Sequence, residues 1–222
     1  RMEVKKAAQL SLLGAQARRS ALEMVYRATS GHLGGSMSLC EILSVLYFDT
    51  MRIDPAKPDD PDRDRFVLSK GHCTPALYSV LAMRGFFPRE MLSTFRSIDG
   101  HLSGHAEMRH VPGVDMSTGS LGQGISTAVG MALAGQVDKK DYRVYAVLGD
   151  GELEEGQVWE AAMFAAHYKL DNLCVLLDLN GLQIDGPVTE VMNPTPHDKK
   201  FEAFGFEVFT ADAHNFDSLE KA

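Results

Sequence analysis

The chain has 222 residues, 45% of them hydrophobic, and a formal net charge of −8. That length allows one large domain or two small ones, and the apolar share is ample for a buried core. The negative balance argues against general affinity for nucleic acid or an anionic membrane. An anionic ligand would need local help from basic groups, helix N-termini or a metal ion.

No apolar run approaches the roughly 18 residues needed to cross a bilayer. Residues 1–6 carry several charges and lead into a helical pattern rather than an apolar signal core, so the expected location is the cytoplasm. Cys40, Cys73 and Cys174 form no CxxC pair and no even framework, and read as three reduced thiols.

From Val4 to about Thr29, Ala8, Leu12, Ala15, Leu22 and Val25 recur at helical spacing. Residues 30–36, rich in Gly and Ser, break that pattern. Ser38 followed three residues later by Glu41 reads as a capping box opening a helix through Leu39, Ile42, Leu43 and Leu46. Residues 54–64, with Pro55, Pro58 and Pro61 among acids, read as a solvated loop. Arg65–Leu68 is a short buried strand, and Ser69-Lys70-Gly71-His72 follows. A helix is expected from Pro75 to Arg84, stopped by Gly85, with Pro88 starting another. Residues 97–120 lack periodicity, as a functional loop does. Helical character returns from Leu121 to Val137.

The clearest unit comes next. Tyr142–Leu148 reads as a strand, Gly149-Asp150-Gly151 as a turn, Gln157–Tyr168 as a helix and Leu173–Leu179 as a second strand. That order predicts a right-handed βαβ crossover with parallel strands. Phe206–Thr210 is a further candidate strand, and a last helix closes the sequence. The expected fold is α/β, a mostly parallel sheet flanked by helices, with residues 1–222 forming one domain cut short at its C-terminus.

Ligands of open parallel sheets bind beyond the carboxyl ends of the strands. Two such ends are marked here, by Asp150 between two glycines and by Asn180-Gly181-Leu182, 30 residues on. An Asp carboxylate and an Asn amide oxygen are hard donors suited to magnesium or calcium, and magnesium readily shares its shell with phosphate oxygens. Gly149 and Gly151 remove side chains where a diphosphate would approach the backbone, and the following helix directs N–H groups toward it.

Gly149-Asp150-Gly151 closing at Asn180 resembles the thiamine-diphosphate motif. The run Gly149-Asp150-Gly151-Glu152-Leu153-Glu154-Glu155-Gly156-Gln157-Val158-Trp159-Glu160-Ala161 is similar to transketolases in particular. So are Thr118-Gly119-Ser120-Leu121-Gly122-Gln123-Gly124 and Ser30-Gly31-His32. The resemblance covers nearly the whole chain, with the motifs in family order. It implies thiamine diphosphate and magnesium as cofactors, the ion held by Asp150, Asn180 and the main-chain carbonyl of Leu182. Gly151 would contact the diphosphate, Gly119 and Leu121 would line the aminopyrimidine side, and Ile184 would pack against the cofactor.

His32, His72 and His105 lie in Gly-containing loops, and His72 also follows a strand end, where ligands bind. By resemblance these three surround the thiazolium and the sugar hydroxyls, where ketol cleavage needs proton transfers near neutral pH. A zinc site of His101, His105 and His110 is a weaker alternative, because this segment does not read as a helix. Glu152 and Glu154 are accounted for by the helix dipole. The resemblance gives Glu155, with Glu160, a place in an acidic network linking two active sites across a dimer interface. Trp159 and Met163 fit either that interface or the core.

The resemblance further implies transfer of a two-carbon ketol unit between sugar phosphates. The pyrimidine-binding domain would sit on a separate C-terminal transketolase subunit, giving a dimer of heterodimers. Leu33 and Ala106 stand where the family commonly has Pro, which bears on loop rigidity and substrate choice. The competing expectations are another thiamine-diphosphate enzyme, such as a deoxyxylulose-phosphate synthase or 2-oxo-acid dehydrogenase component, and a non-catalytic cofactor-binding remnant.

Overall fold

A computed structural model describes residues 2–222, so Arg1 lies outside it. In chain order the elements are α1 (Val4–Ala28), α2 (Gly34–Met37), α3 (Cys40–Val45), β1 (Arg65–Leu68), α4 (Thr74–Arg84), α5 (Gln123–Val137) and β2 (Val144–Gly149). After these come α6 (Gly156–His167), β3 (Leu173–Asp178), β4 (Leu182–Gln183), β5 (Gly186–Pro187), α7 (Val188–Val191), α8 (His197–Phe204) and α9 (Phe216–Lys221). The chain divides into two compact units. One holds the chain up to Pro61 with His72–Ser117 and Phe209–Ala222; the other holds Asp62–Gly71 and Thr118–Val208.

The first unit is helical. α1 buries Leu10, Gly14, Ala17, Ala21 and Met24, a stripe spaced by three and four residues that lies against α3 and α4. Gly14 faces α3, where a Cβ would make only ordinary contacts, 3.6 Å from Ser44 Oγ and 3.8 Å from the Cys40 carbonyl. α4 starts with Pro75 in its first turn and is buried from Thr74 to Ala82. It ends at Gly85, whose φ of 100° and N–H bonds to the Leu81 and Ala82 carbonyls close the last turn. The expected capping box does not form. Ser38 Oγ donates to the Gly35 carbonyl, because α2 already occupies the preceding turn, and Glu41 instead pairs with Arg18. Pro88 is followed by a 3₁₀ turn, Arg89–Thr94, rather than an α-helix.

The second unit is built on a parallel sheet in the order β1-β2-β3. β2 is central and buried at all six positions, which is why Val144-Tyr145-Ala146-Val147-Leu148 reads as an unbroken apolar run. β3 is only partly covered. The β2-α6-β3 crossover and its parallel pairing match the expectation, and α5 packs on the sheet and on α6. Residues 206–210 form no strand. Their apolar alternation supplies β propensity but no ladder partner, and Phe206 packs its ring on Phe201. Beside the sheet, β4 and β5 form a two-residue antiparallel ladder directly after Asn180. Among the described residues no helix is long and apolar enough to cross a membrane.

Candidate functional site

Asp150 directly follows β2 and is 3% exposed. One carboxylate oxygen accepts the Gly151 N–H at 2.9 Å, and the other accepts the Gly181 N–H at 2.5 Å. A side chain at the end of β2 is thereby bonded to the loop leaving β3, as the sequence spacing requires. Asn180 is exposed, and its Oδ1 accepts the Leu182 N–H at 3.0 Å, a local turn that fixes the loop. In the small ladder Leu182 stands opposite Pro187, and the bond crossing beside them runs from the Val188 N–H to the Gly181 carbonyl, so the pair makes no demand on the Leu182 carbonyl.

These donors fit a magnesium–diphosphate group. They are one carboxylate, one amide oxygen and one main-chain carbonyl, all hard oxygens. Among the described residues no cluster of three or more His, Cys, Asp or Glu side chains could hold a metal. That excludes a zinc-type centre, including one of His101, His105 and His110. It leaves a site that needs ligand oxygens to complete a shell. Open space surrounds Gly156 and Gly181, where an added Cβ would meet nothing within 4 Å. Nearby, His197 in the first turn of α8 has a buried Nε2 without a hydrogen-bond partner. Burial lowers its pKa while the charge of Asp150 opposes that shift. Gly149 is sterically ordinary, because a Cβ there would meet Lys70 Cδ at 3.5 Å. Ile184 is 91% exposed, as a group awaiting a neighbour would be.

The loop carrying Gly119 and Leu121 is fixed by close contacts. A Cβ on Gly71 would fall 2.6 Å from Gly119 N, and one on Gly124 would fall 2.6 Å from Ser69 Cα. Gly122, at a φ of 81°, would bring its Cβ within 2.7 Å of Glu155 Cβ. The two glycines of Leu121-Gly122-Gln123-Gly124 therefore serve one turn and two close contacts, one with the Glu155 side chain and one with the Ser69 backbone. Glu155 precedes α6 and is exposed, as is Glu160. Trp159 donates its indole N–H to the Leu153 carbonyl and packs on Phe201 and Phe204, whereas Met163 is exposed.

Beneath this surface lie groups that the linear sequence did not single out. Glu152 is 2% exposed, so the helix dipole is not a sufficient account of it. It accepts from Ser69 Oγ, from the Gly122 N–H at 2.9 Å and from the Gly149 N–H at 3.1 Å. Burial raises its pKa, against the pull of those donors and of Lys70. Lys70 and Asp178, both buried, form an ion pair between the segment after β1 and the end of β3. The available signal was a Lys following an apolar strand and an Asp closing one.

In the helical unit, His32, His72 and His105 do come together. The His32 ring centroid lies 5.1 Å from that of His72 and 6.1 Å from that of His105. The His105 loop is tied to α4, because Thr74 Oγ1 donates to the Gly104 carbonyl and Tyr78 Oη to the His105 carbonyl. Burial, then the His32 and Arg96 charges, lower the His105 pKa.

The family described as "Transketolase, thiamine diphosphate binding domain" matches residues 11–222. The chain is 50% identical over 205 residues to the 6-deoxy-6-sulfo-D-fructose transketolase subunit SqwG of Clostridium sp. (strain MSTE9), covering 92% of this chain and 74% of that one. It is 44% identical over 210 residues to an apulose-4-phosphate transketolase subunit of Phocaeicola vulgatus, covering 95% and 74%. The crystal structure of transketolase from Campylobacter jejuni superposes with a TM-score of 0.92 at 34% identity, over 99% of this chain but 35% of that one.

Proposed function

The chain belongs to the transketolase family through its thiamine diphosphate binding domain, and on that premise we propose that it is the diphosphate-binding subunit of a two-subunit, magnesium-dependent transketolase. The observation that carries this reading is the Asp150 carboxylate bonded to the Gly181 N–H, at the carboxyl ends of adjacent parallel strands. It is the arrangement expected of an oxygen-donor site for a divalent ion and a diphosphate.

In this reading Asp150, Asn180 and the Leu182 carbonyl hold magnesium, and the Gly151 N–H meets the diphosphate. Gly119 and Leu121 line the ring side, with Ile184 against the cofactor. When bound, the cofactor supplies the carbon nucleophile that accepts and passes on a two-carbon unit. His32, His72 and His105 bind the sugar's hydroxyls and move protons there, and the lowered pKa of His105 keeps that ring neutral and able to accept one. Glu155 belongs to the acidic link between paired sites. The names of the two subunit relatives support a separate partner carrying the pyrimidine-binding domain, and a ketose with an anionic substituent as substrate. The same reading places the enzyme in the cytoplasm, as a dimer of heterodimers.

Reconstitution tests this. The chain is mixed with candidate pyrimidine-domain subunits, magnesium and thiamine diphosphate, and two-carbon transfer from a ketose phosphate is assayed. Turnover is expected only with a partner. Robust turnover by the chain alone would refute the two-subunit reading, and consumption of pyruvate instead of ketose would redirect it to another thiamine-diphosphate chemistry.

A further inference from the structure

Three chain segments meet on one buried carboxylate. Glu152 takes a hydrogen bond from Ser69 just after β1, from Gly122 just before α5, and from Gly149 at the end of β2. Two of these segments are also packed tightly on each other. Gly71 and Gly124 press the 118–124 loop onto Ser69–Gly71 so closely that a single added carbon would overlap backbone atoms. Gly122 is held in the left-handed region against Glu155. One side chain thus sets the separation between the Gly122 loop and the Gly149 turn.

We infer that Glu152 is a positioning residue that fixes the spacing between the loop serving the ring side of the cofactor and the turn serving its diphosphate. The inference rests on the functional reading above, in which Gly119 and Leu121 serve one end of the ligand and Asp150 and Gly151 the other. A ligand whose two ends are covalently joined gains affinity when both subsites stand at the correct separation beforehand. A fragment carrying only one end is indifferent to that separation. Loosening the spacing therefore weakens the whole cofactor more than it weakens pyrophosphate.

E152Q is the informative variant, because glutamine has the same size and one fewer acceptor. However the amide is turned, its NH2 group faces a main-chain N–H, that of Gly149 or that of Gly122, and one segment is released. Binding of magnesium–thiamine diphosphate and of magnesium–pyrophosphate to the full chain is measured by calorimetry for wild type, E152Q and D150A. In E152Q the Kd for the whole cofactor is expected to rise about ten-fold or more, and that for pyrophosphate by less than about three-fold. D150A should weaken both probes together.

A role confined to stability would change both affinities by one common factor or by none, and either result overturns the inference. So does a wild-type chain that binds the two probes equally, since the ring loop then adds nothing. If D150A abolishes uptake while E152Q keeps the wild-type ratio, the inference fails and the functional reading survives. If the wild-type chain binds neither probe even when mixed with a partner subunit that supports two-carbon transfer, both fall. Should E152Q not fold, S69A removes one of the three donors and is expected to move the ratio in the same direction by a smaller factor.

Discussion

The Asp150 carboxylate accepts the main-chain N–H of Gly181 at 2.5 Å, joining the end of β2 to the loop that leaves β3. A single side chain thereby fixes both halves of the proposed ion site before any ligand arrives. Removing it has two consequences. D150A leaves the Gly151 and Gly181 N–H groups without their acceptor, at a cost of about 1–3 kcal/mol. It also removes the one carboxylate of the proposed donor set, so magnesium-dependent uptake of pyrophosphate should be lost. Urea denaturation and calorimetry read the two effects separately. Retained uptake would mean that the ion is held elsewhere.

The Lys70–Asp178 pair should behave as a buried ion pair does. Lys70 is 1% exposed and Asp178 6%. Replacing one partner removes the ion-pair contact of the other in a low-dielectric interior, so K70M is expected to cost about 3–5 kcal/mol. The double change K70M/D178L should recover part of that loss, because no charge is then left behind. A K70M chain as stable as wild type in urea would show that Asp178 is satisfied by other groups.

Two glycine substitutions in α5 should act with opposite signs. Gly124→Ala drives a Cβ to 2.6 Å from Ser69 Cα, a backbone atom that cannot swing aside, and should cost about 1–3 kcal/mol. Gly130 is exposed in the same helix with nothing within 4 Å of its Cβ position, so Gly130→Ala should add about 0.5–1 kcal/mol. Thermal melting distinguishes them. Equal effects would show that helix propensity rather than steric contact governs both positions.

His105 should titrate below its ordinary value of 6.5, held down first by burial and then by the His32 and Arg96 charges. The sign follows from linkage. A folded-state value below the unfolded one favours the neutral ring, so this contribution is present above pH 6.5 and is lost as pH falls toward the folded-state value. In H32Q the midpoint should move upward, yet stay under 6.5 because burial persists. NMR titration of the imidazole resonances checks both statements, and a wild-type midpoint at or above 6.5 contradicts the first.

Much of this was legible in the residues themselves. The helical period of α1, the apolar run of β2, Gly85 closing α4 and the strand–turn–helix–strand unit are all local patterns that the structure reproduces. But Ala8, Leu12, Ala15 and Leu22 lie on the exposed face of α1, and the buried stripe is Leu10, Gly14, Ala17, Ala21 and Met24. The spacing of Asp150 and Asn180 was readable too, because one crossover has a characteristic length and returns the chain to the same sheet edge. Where a local signal misled, a neighbour had taken the group. Ser38 and Glu41 have the capping-box spacing, but α2 and Arg18 claim them. The alternation in 206–210 found no strand to pair with.

What the sequence determined alone was therefore periodic or spaced: the class of fold, the crossover, and the oxygen donors at the two strand ends. Only the tertiary structure decided that Glu152 is buried and shared by three segments and that Lys70 answers Asp178. Apart from Gly149, those partners lie tens of residues apart in the chain. Hydrogen bonds and desolvation depend on distance in space, and no local pattern encodes which carboxylate the folded backbone will enclose.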